Sequence, residues 1–150
     1  MTKYIVTVDE YGTRRWYNGS DRLTNMHRTD GPAVEFADGG KCWYLNGELH
    51  RTDGPAIEYA KGDKYWYLNG ELHRTDGPAM EFADGTKSWC LNNKLHRTDG
   101  PAIERPDVYK FWYLNGVKLT ESEFLTKTKK ASCEGKEVEV DGVKYKLVKA

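Results

Sequence analysis

The heptad His50-Arg51-Thr52-Asp53-Gly54-Pro55-Ala56 recurs without change at 27–33, 73–79 and 96–102. Each copy begins 23 residues after the one before, with no insertion. A constant step of this length marks a repeat architecture, in which a unit cannot bury its own apolar face and must stack on its neighbours.

The residues around the heptad read as strands and turns. Ala33-Val34-Glu35-Phe36-Ala37 alternates, with Val34 and Phe36 on one face, so a half-buried strand is expected. Asp38-Gly39-Gly40 is a turn, and Lys41-Cys42-Trp43-Tyr44-Leu45 is a second strand. Asn46-Gly47 then closes a tight hairpin, because both residues accept the positive φ of a type I′ turn. The next units repeat the pattern around Asn69-Gly70 and Asn92-Asn93, and a fifth ends at Asn115-Gly116. That fifth unit carries Arg105-Pro106-Asp107, where proline opposes continued central pairing. An odd number of strands per unit would reverse the chain direction at every repeat, so identical units imply two. One is the Lys-x-Trp-x-Leu strand. The other is long, running from Glu48 into the next Phe36-type position and bent at Thr-Asp-Gly-Pro.

Stacking at a constant step lines up equivalent side chains. Trp16, Trp43, Trp66, Trp89 and Trp112 form a column, with Leu45, Leu68, Leu91 and Leu114 on the same face, read here as the core. Tyr44, Tyr67, Cys90 and Tyr113 lie on the opposite, partly exposed face, as do Cys42, Tyr65, Ser88 and Phe111.

The ends differ from the middle. Residues 4–26 read as a degenerate first unit with an extra loop at Asn18-Gly19-Ser20-Asp21. After Gly116 the heptad is absent. Thr120-Glu121-Ser122-Glu123 is a capping box that opens a short helix through Phe124 and Leu125, with Lys127, Lys129 and Lys130 in its last turns. A hairpin about Asp141-Gly142 pairs Val140 with Val143 and Val138 with Tyr145, and sets Glu139 and Glu137 opposite Lys144 and Lys146. The fold class expected is mostly β: an elongated antiparallel sheet of hairpin repeats over 1–119, with a helix-plus-hairpin cap over 120–150.

Composition narrows the function. Lys plus Arg and Asp plus Glu both number 23, a balance that argues against a dedicated nucleic-acid binder. Five Trp and ten Tyr are too many for a disordered chain. No apolar run of membrane-spanning length occurs, and Met1-Thr2-Lys3-Tyr4 leads into a strand rather than a signal peptide. The three cysteines, at 42, 90 and 133, have no Cys-x-x-Cys spacing. Two strands per unit would hold Cys42 and Cys90 about 19 Å apart, beyond disulfide reach. Reduced thiols and a cytoplasmic location are the expectation.

The 23-residue period, the aromatic-x-Asn-Gly turn with His three residues after its Gly (Gly47 and His50, Gly70 and His73), the Gly shortly after His and the Asp-Gly before the next aromatic strand resemble MORN repeats over residues ~4–119. Two departures stand out. The strand glycine of that family is missing, and the segment after His is one residue longer and holds Pro. The closer likeness is to a divergent group of repeat proteins common in tailed-phage genomes, which share the Trp-Tyr-Leu-Asn-Gly and His-Arg-x-Asp-Gly-Pro-Ala units and the Leu-Thr-x-x-Glu-Phe ending seen at 119–124. The resemblance implies an elongated hairpin sheet with a scaffold or binding role, phage-encoded and acting in the host cytoplasm. It supplies no catalytic residue.

Three rows could carry chemistry. His27, His50, His73 and His96 would stand about 10 Å apart, too far to share a metal ion, and a ring bonded to backbone or Asp is the expected role. Arg51, Arg74 and Arg97 could grip phosphate or carboxylate, although each arrives with its own Asp. Tyr44, Tyr67 and Tyr113 could form a recognition surface or pack under a second layer, such as the C-terminal cap or a second copy. Glu35, Glu58, Glu81 and Glu104 read as a solvated face. No nucleophile, phosphate-loop or zinc motif occurs. The expectation is a non-enzymatic binding scaffold, with no metal and no cofactor, that engages a host or phage protein. The alternatives are a binder of a nucleotide or other small anion, using the Arg and Tyr rows, and a hydrolase with its site at a homodimer seam.

Overall fold

The protein is described as a computed structural model covering residues 4–19, 25–128, 137–140 and 143–146. An antiparallel sheet of 11 strands runs through the repeats. Its order is Ile5–Val8, Arg14–Tyr17, Val34–Glu35, Lys41–Cys42, Ile57–Glu58, Lys64–Tyr65, Met80–Glu81, Lys87–Ser88, Ile103–Glu104, Lys110–Leu114 and Val117–Leu119. Each repeat therefore adds two strands. Beside the main sheet lie three short hairpins, Tyr44–Leu45 with Glu48–Leu49, Tyr67–Leu68 with Glu71–Leu72, and Cys90–Leu91 with Lys94–Leu95.

The hairpins and the sheet share strands, and Trp is the junction. Cys42 opposes Ile57 and Tyr44 opposes Leu49. Between them Trp43 serves two partners: its N–H donates to Ala56 O (2.8 Å), and its carbonyl accepts from His50 N–H (3.0 Å). Trp66 and Trp89 repeat both bonds with His73 and Ala79 and with His96 and Ala102. Residues 51–55 therefore leave the ladder as a five-residue loop, and the chain re-enters opposite the same tryptophan. The long strand read from the sequence is thus interrupted by this loop, not bent. In the fifth unit the Trp strand is continuous, Lys110–Leu114, with Trp112 opposite Leu119.

The Asn-Gly turns take the backbone expected of type I′. φ is +53° and +84° at Asn46-Gly47, +50° and +75° at Asn69-Gly70, and positive at both Asn92 and Asn93. Each turn also bonds to the unit before it, as in Gly70 N–H to Leu49 O (2.9 Å) and Gly116 N–H to Leu95 O (2.8 Å). Adjacent units are thereby stitched at both ends of the strand.

The other turn needs a left-handed residue, which glycine supplies at Gly12, Gly39, Gly62 and Gly85. In the fifth unit Val108 occupies that place at φ +68°, and it is 85% exposed. A β-branched residue is strained there and packs against little that would compensate. Val108→Gly is expected to raise stability by about 0.5–1 kcal/mol, after allowing for the greater freedom of glycine in the unfolded chain. The midpoint of urea unfolding measures this directly.

Alternation fixes the faces, since directly opposed residues share one. One cross-strand row runs Val34, Cys42, Ile57, Tyr65, Met80, Ser88, Ile103 and Phe111. Tyr44, Tyr67 and Cys90 alternate with the tryptophans and so lie on this face. Tyr65 meets Tyr59 and Phe82 edge-on, with ring centroids 5.8 Å away in each case. Cys90 takes the register place of Tyr44, and Ser88 that of Cys42. Both cysteines are free and buried, and burial pushes each thiol up to about 11. Burial also raises the phenols of Tyr44, Tyr65 and Tyr67. Cys133 lies outside the described residues.

The opposite face carries the indoles, and here the reading of a core needs correction. All five tryptophans are half-buried, and no large side chain among the described residues is fully buried. What is sealed is alanine: Ala33, Ala56, Ala79 and Ala102 have no exposed surface. Each of the last three sits across from the Trp of its own unit, where a larger group would not fit.

Glu121–Thr128 is the expected helix. Thr120 N–H donates to Glu123 Oε2 (2.8 Å), and Glu123 N–H donates to Thr120 Oγ1 (3.3 Å), the two halves of a capping box. Phe124 is buried and Leu125 is exposed. The helix packs on Lys110–Leu114 and Val117–Leu119, starting where the Arg-Thr-Asp-Gly-Pro loop would leave the ladder in an ordinary unit. Glu137–Val140 pairs with Val143–Lys146 in the register read from the sequence. The extra loop of the first unit falls partly outside the described residues, as do Lys129, Lys130 and the Asp141-Gly142 turn.

Candidate functional site

The five-residue loops form a row of ridges on the Trp face. Arg51 folds back from its loop so that its guanidinium carbon lies 3.9 Å from the centre of the Trp43 ring. The same stack occurs for Arg28 on Trp16, Arg74 on Trp66 and Arg97 on Trp89, at 4.4, 4.1 and 3.9 Å. These are cation–π contacts made on a partly dehydrated ring.

Each guanidinium is then clamped at its rim. Arg51 Nε donates to Asp53 Oδ1 (2.9 Å), and Nη1 donates to Pro55 O (3.1 Å) and Glu58 Oε1 (3.0 Å). Arg74 and Arg97 repeat all three bonds with their own Asp, Pro and Glu. Arg28 bonds Asp30 and Pro32, with Glu35 at 3.5 Å. The loop glycine makes room for this arrangement. A Cβ at Gly54 or Gly77 would stand 2.9 Å from the arginine Cζ, although φ at neither lies in the left-handed region. Glycine is needed there for the space beside the guanidinium.

Pairing of each Arg with its own Asp follows the sequence reading, but Glu58 and its equivalents are not simply solvated. They close the clamp, and they alternate across the sheet with Lys41, Lys64, Lys87 and Lys110 as direct partners. That ladder of opposite charges supports the register.

The histidines are structural bridges. Asn46 N–H donates to His27 Nδ1 (3.1 Å), Asn69 N–H to His50 Nδ1 (3.2 Å), and Asn115 N–H to His96 Nδ1 (3.1 Å). His73 Nδ1 lies 2.6 Å from Asn92 Oδ1. Each ring therefore holds the type I′ turn of the following unit. Among the described residues no three His, Cys, Asp or Glu side chains gather as a metal site.

The predicted Arg and Tyr rows do not converge. Arg51, Arg74 and Arg97 lie on the Trp face, whereas Tyr44, Tyr67 and Tyr113 point to the other side of the sheet. One small anion cannot be gripped by both rows. Exposure separates the charges further. The four arginine side chains are 19–21% exposed, while Asp30, Asp53, Asp76 and Asp99 are 68–80% exposed. The ridges thus present carboxylates outward and hold their guanidinium groups against the indoles.

Between consecutive ridges lie three equivalent grooves. The first is walled by 28–32 and 50–53 and floored by Trp43 and Leu45, with a volume of about 550 Å³. The second is floored by Trp66 and Leu68 (about 520 Å³), the third by Trp89 and Leu91 (about 480 Å³). Sequence reasoning missed these grooves because it placed Trp and Leu in the core. A signal was present: Trp43, Trp66 and Trp89 each precede an Arg by eight residues, and Trp112, which has no heptad after it, lacks that Arg.

No protein-family model matches the chain, and no curated protein matches it. Among the described residues no helix is long and apolar enough to cross a membrane.

The clamp makes stability depend on acid. The hydrogen bond from its own Arg, ahead of all other influences, holds the carboxyl of Asp30, Asp53, Asp76 and Asp99 below the usual 3.8. A lowered folded-state value contributes stability above the unfolded value, and that contribution is lost as pH falls through the folded one. Thermal midpoints are therefore expected to stay level from neutral pH down to about pH 5 and to fall below about pH 4. Replacing the four Asp by Asn should make that drop smaller, and Asp9, Asp63, Asp84 and Glu123, whose carboxyls are also held low, should supply the remainder.

Proposed function

We propose that the chain is a non-enzymatic repeat scaffold whose Trp face binds a protein. The observation that carries this reading is the threefold recurrence of one groove: an indole and a leucine as floor, between ridges held rigid by clamped arginines. Repeat arrays use such extended surfaces for recognition. Half-exposed aromatic floors with polar rims have the composition of protein interfaces. The guanidinium groups are already bonded and stacked, which favours this reading over a small-anion binder. The likeness to the tailed-phage repeat group makes a host or phage protein the expected partner and the host cytoplasm the expected place, with 1–119 as the binding array and 120–150 as its cap.

The test is affinity capture from host lysate, read by mass spectrometry, with two surface variants. Thr52→Gln with Thr75→Gln lengthens exposed ridge side chains without changing charge; Tyr59→Ser alters the opposite face. Loss of the captured protein with the ridge pair alone supports the reading. Loss with Tyr59→Ser alone would transfer the interface to the tyrosine side.

A further inference from the structure

We propose that the grooves form a row of equivalent sockets for a basic, polyproline-type chain segment carrying Arg or Lys at every third residue. This rests on the reading of the Trp face as a protein-binding surface and specifies the partner's chemistry.

Spacing gives the period. Each repeat adds two strands to the sheet, so equivalent grooves are about 9.6 Å apart at ~4.8 Å per strand. A polyproline-type chain has three residues per turn and rises ~3.1 Å per residue, about 9.3 Å per turn, so every third side chain falls on one side; in a β-strand, residues three apart point to opposite sides. A polyproline-type segment lying across the strands, along the stack, would place every third side chain over a groove floor.

Charge and shape give the side chain. Each groove has an exposed carboxylate on both ridges: Asp30 and Asp53, Asp53 and Asp76, then Asp76 and Asp99. The arginines of the same ridges are withdrawn, so an incoming cation meets the carboxylates first. Glu48 and Glu71 lie directly opposite Leu45 and Leu68, on the same face and exposed; Lys94 has that register place opposite Leu91. A long side chain with a cationic head fits this arrangement. Its aliphatic stem lies along Leu and the part of the indole that the stacked ridge arginine leaves open to the groove, and its head lies between two carboxylates. The two grooves whose floor leucine is paired with Glu should bind more tightly than the one whose leucine is paired with Lys94.

The probes are fluorescein-labelled peptides titrated by anisotropy against the full chain: four Arg-Ser-Ala triplets, an isomer with the arginines contiguous, and a Glu-Ser-Ala control. The triplet peptide is expected to bind about tenfold tighter than its isomer, the Glu peptide not at all, and Asp53→Asn with Asp76→Asn should weaken the triplet peptide about tenfold or more. If the Asn pair fails to fold, Thr52→Lys with Thr75→Lys places repelling charge on the same ridges and should have the same effect. Equal affinity for the two arginine isomers would overturn the proposal, because diffuse attraction ignores spacing. So would absence of binding by either isomer. The capture experiment decides the parent reading separately: ridge-dependent capture alongside peptides that do not bind would sink the socket and leave the protein-binding face standing.

Discussion

Trp66→Ala is expected to lower the stability of the chain by about 2–4 kcal/mol, somewhat below the range for a fully buried tryptophan because this indole is half-exposed. The loss has two parts. The ring contributes its buried apolar area. It is also the platform for Arg74, whose guanidinium carbon lies 4.1 Å from its centre and whose rim bonds Asp76, Pro78 and Glu81. Removing the platform leaves that clamp over a void. Chemical unfolding followed by circular dichroism measures the change. Trp43→Ala and Trp89→Ala should cost nearly the same, because their surroundings repeat. A cost within about 0.5 kcal/mol of zero, the range of ordinary surface changes, would mean that the indoles support nothing.

Ala79→Leu is the second large effect. Ala79 has no exposed surface, and its carbonyl accepts the Trp66 N–H at 2.8 Å. Its register places it between Trp66 and Trp89. A leucine must push an indole aside, and with it the arginine that the indole carries. The expected cost is about 2–3 kcal/mol, at the upper end of overpacking effects. The exposed Ala60 provides the contrast: Ala60→Leu should stay within about 0.5 kcal/mol of wild type. Equal effects at the two positions would contradict the packing described.

The sequence made legible those features that are coded locally. Asn-Gly specifies a type I′ turn because both residues tolerate positive φ, and the turns take that form. The capping box and the register of 137–146 were equally readable, since their partners lie only a few residues apart. The strand count followed from symmetry. What was missed depends on contacts between strands. That Trp43 faces both His50 and Ala56 cannot be seen from either segment alone, so residues 51–55 read as a bent strand rather than a loop. The arginine stack comes from that same junction, and so does the use of Gly54 as space rather than as a kink. Once Arg51 occupies the indole, Glu58 gains a partner and ceases to be mere surface. Treating hydrophobic residues as core then hid the grooves, because a single sheet layer leaves its aromatic faces half-covered.

Four arginines lie in the same way on four tryptophans, one pair per unit. The direct measurement is the side-chain NMR spectrum of the full chain with assigned arginine δ and ε protons. A proton above an aromatic ring is shifted upfield, and a hydrogen-bonded Nε–H exchanges slowly. Arg28, Arg51, Arg74 and Arg97 are expected to show upfield-shifted side-chain protons and protected Nε–H groups, while Arg14 and Arg105 remain ordinary. Random-coil shifts and fast exchange at Arg51, Arg74 and Arg97 would contradict it.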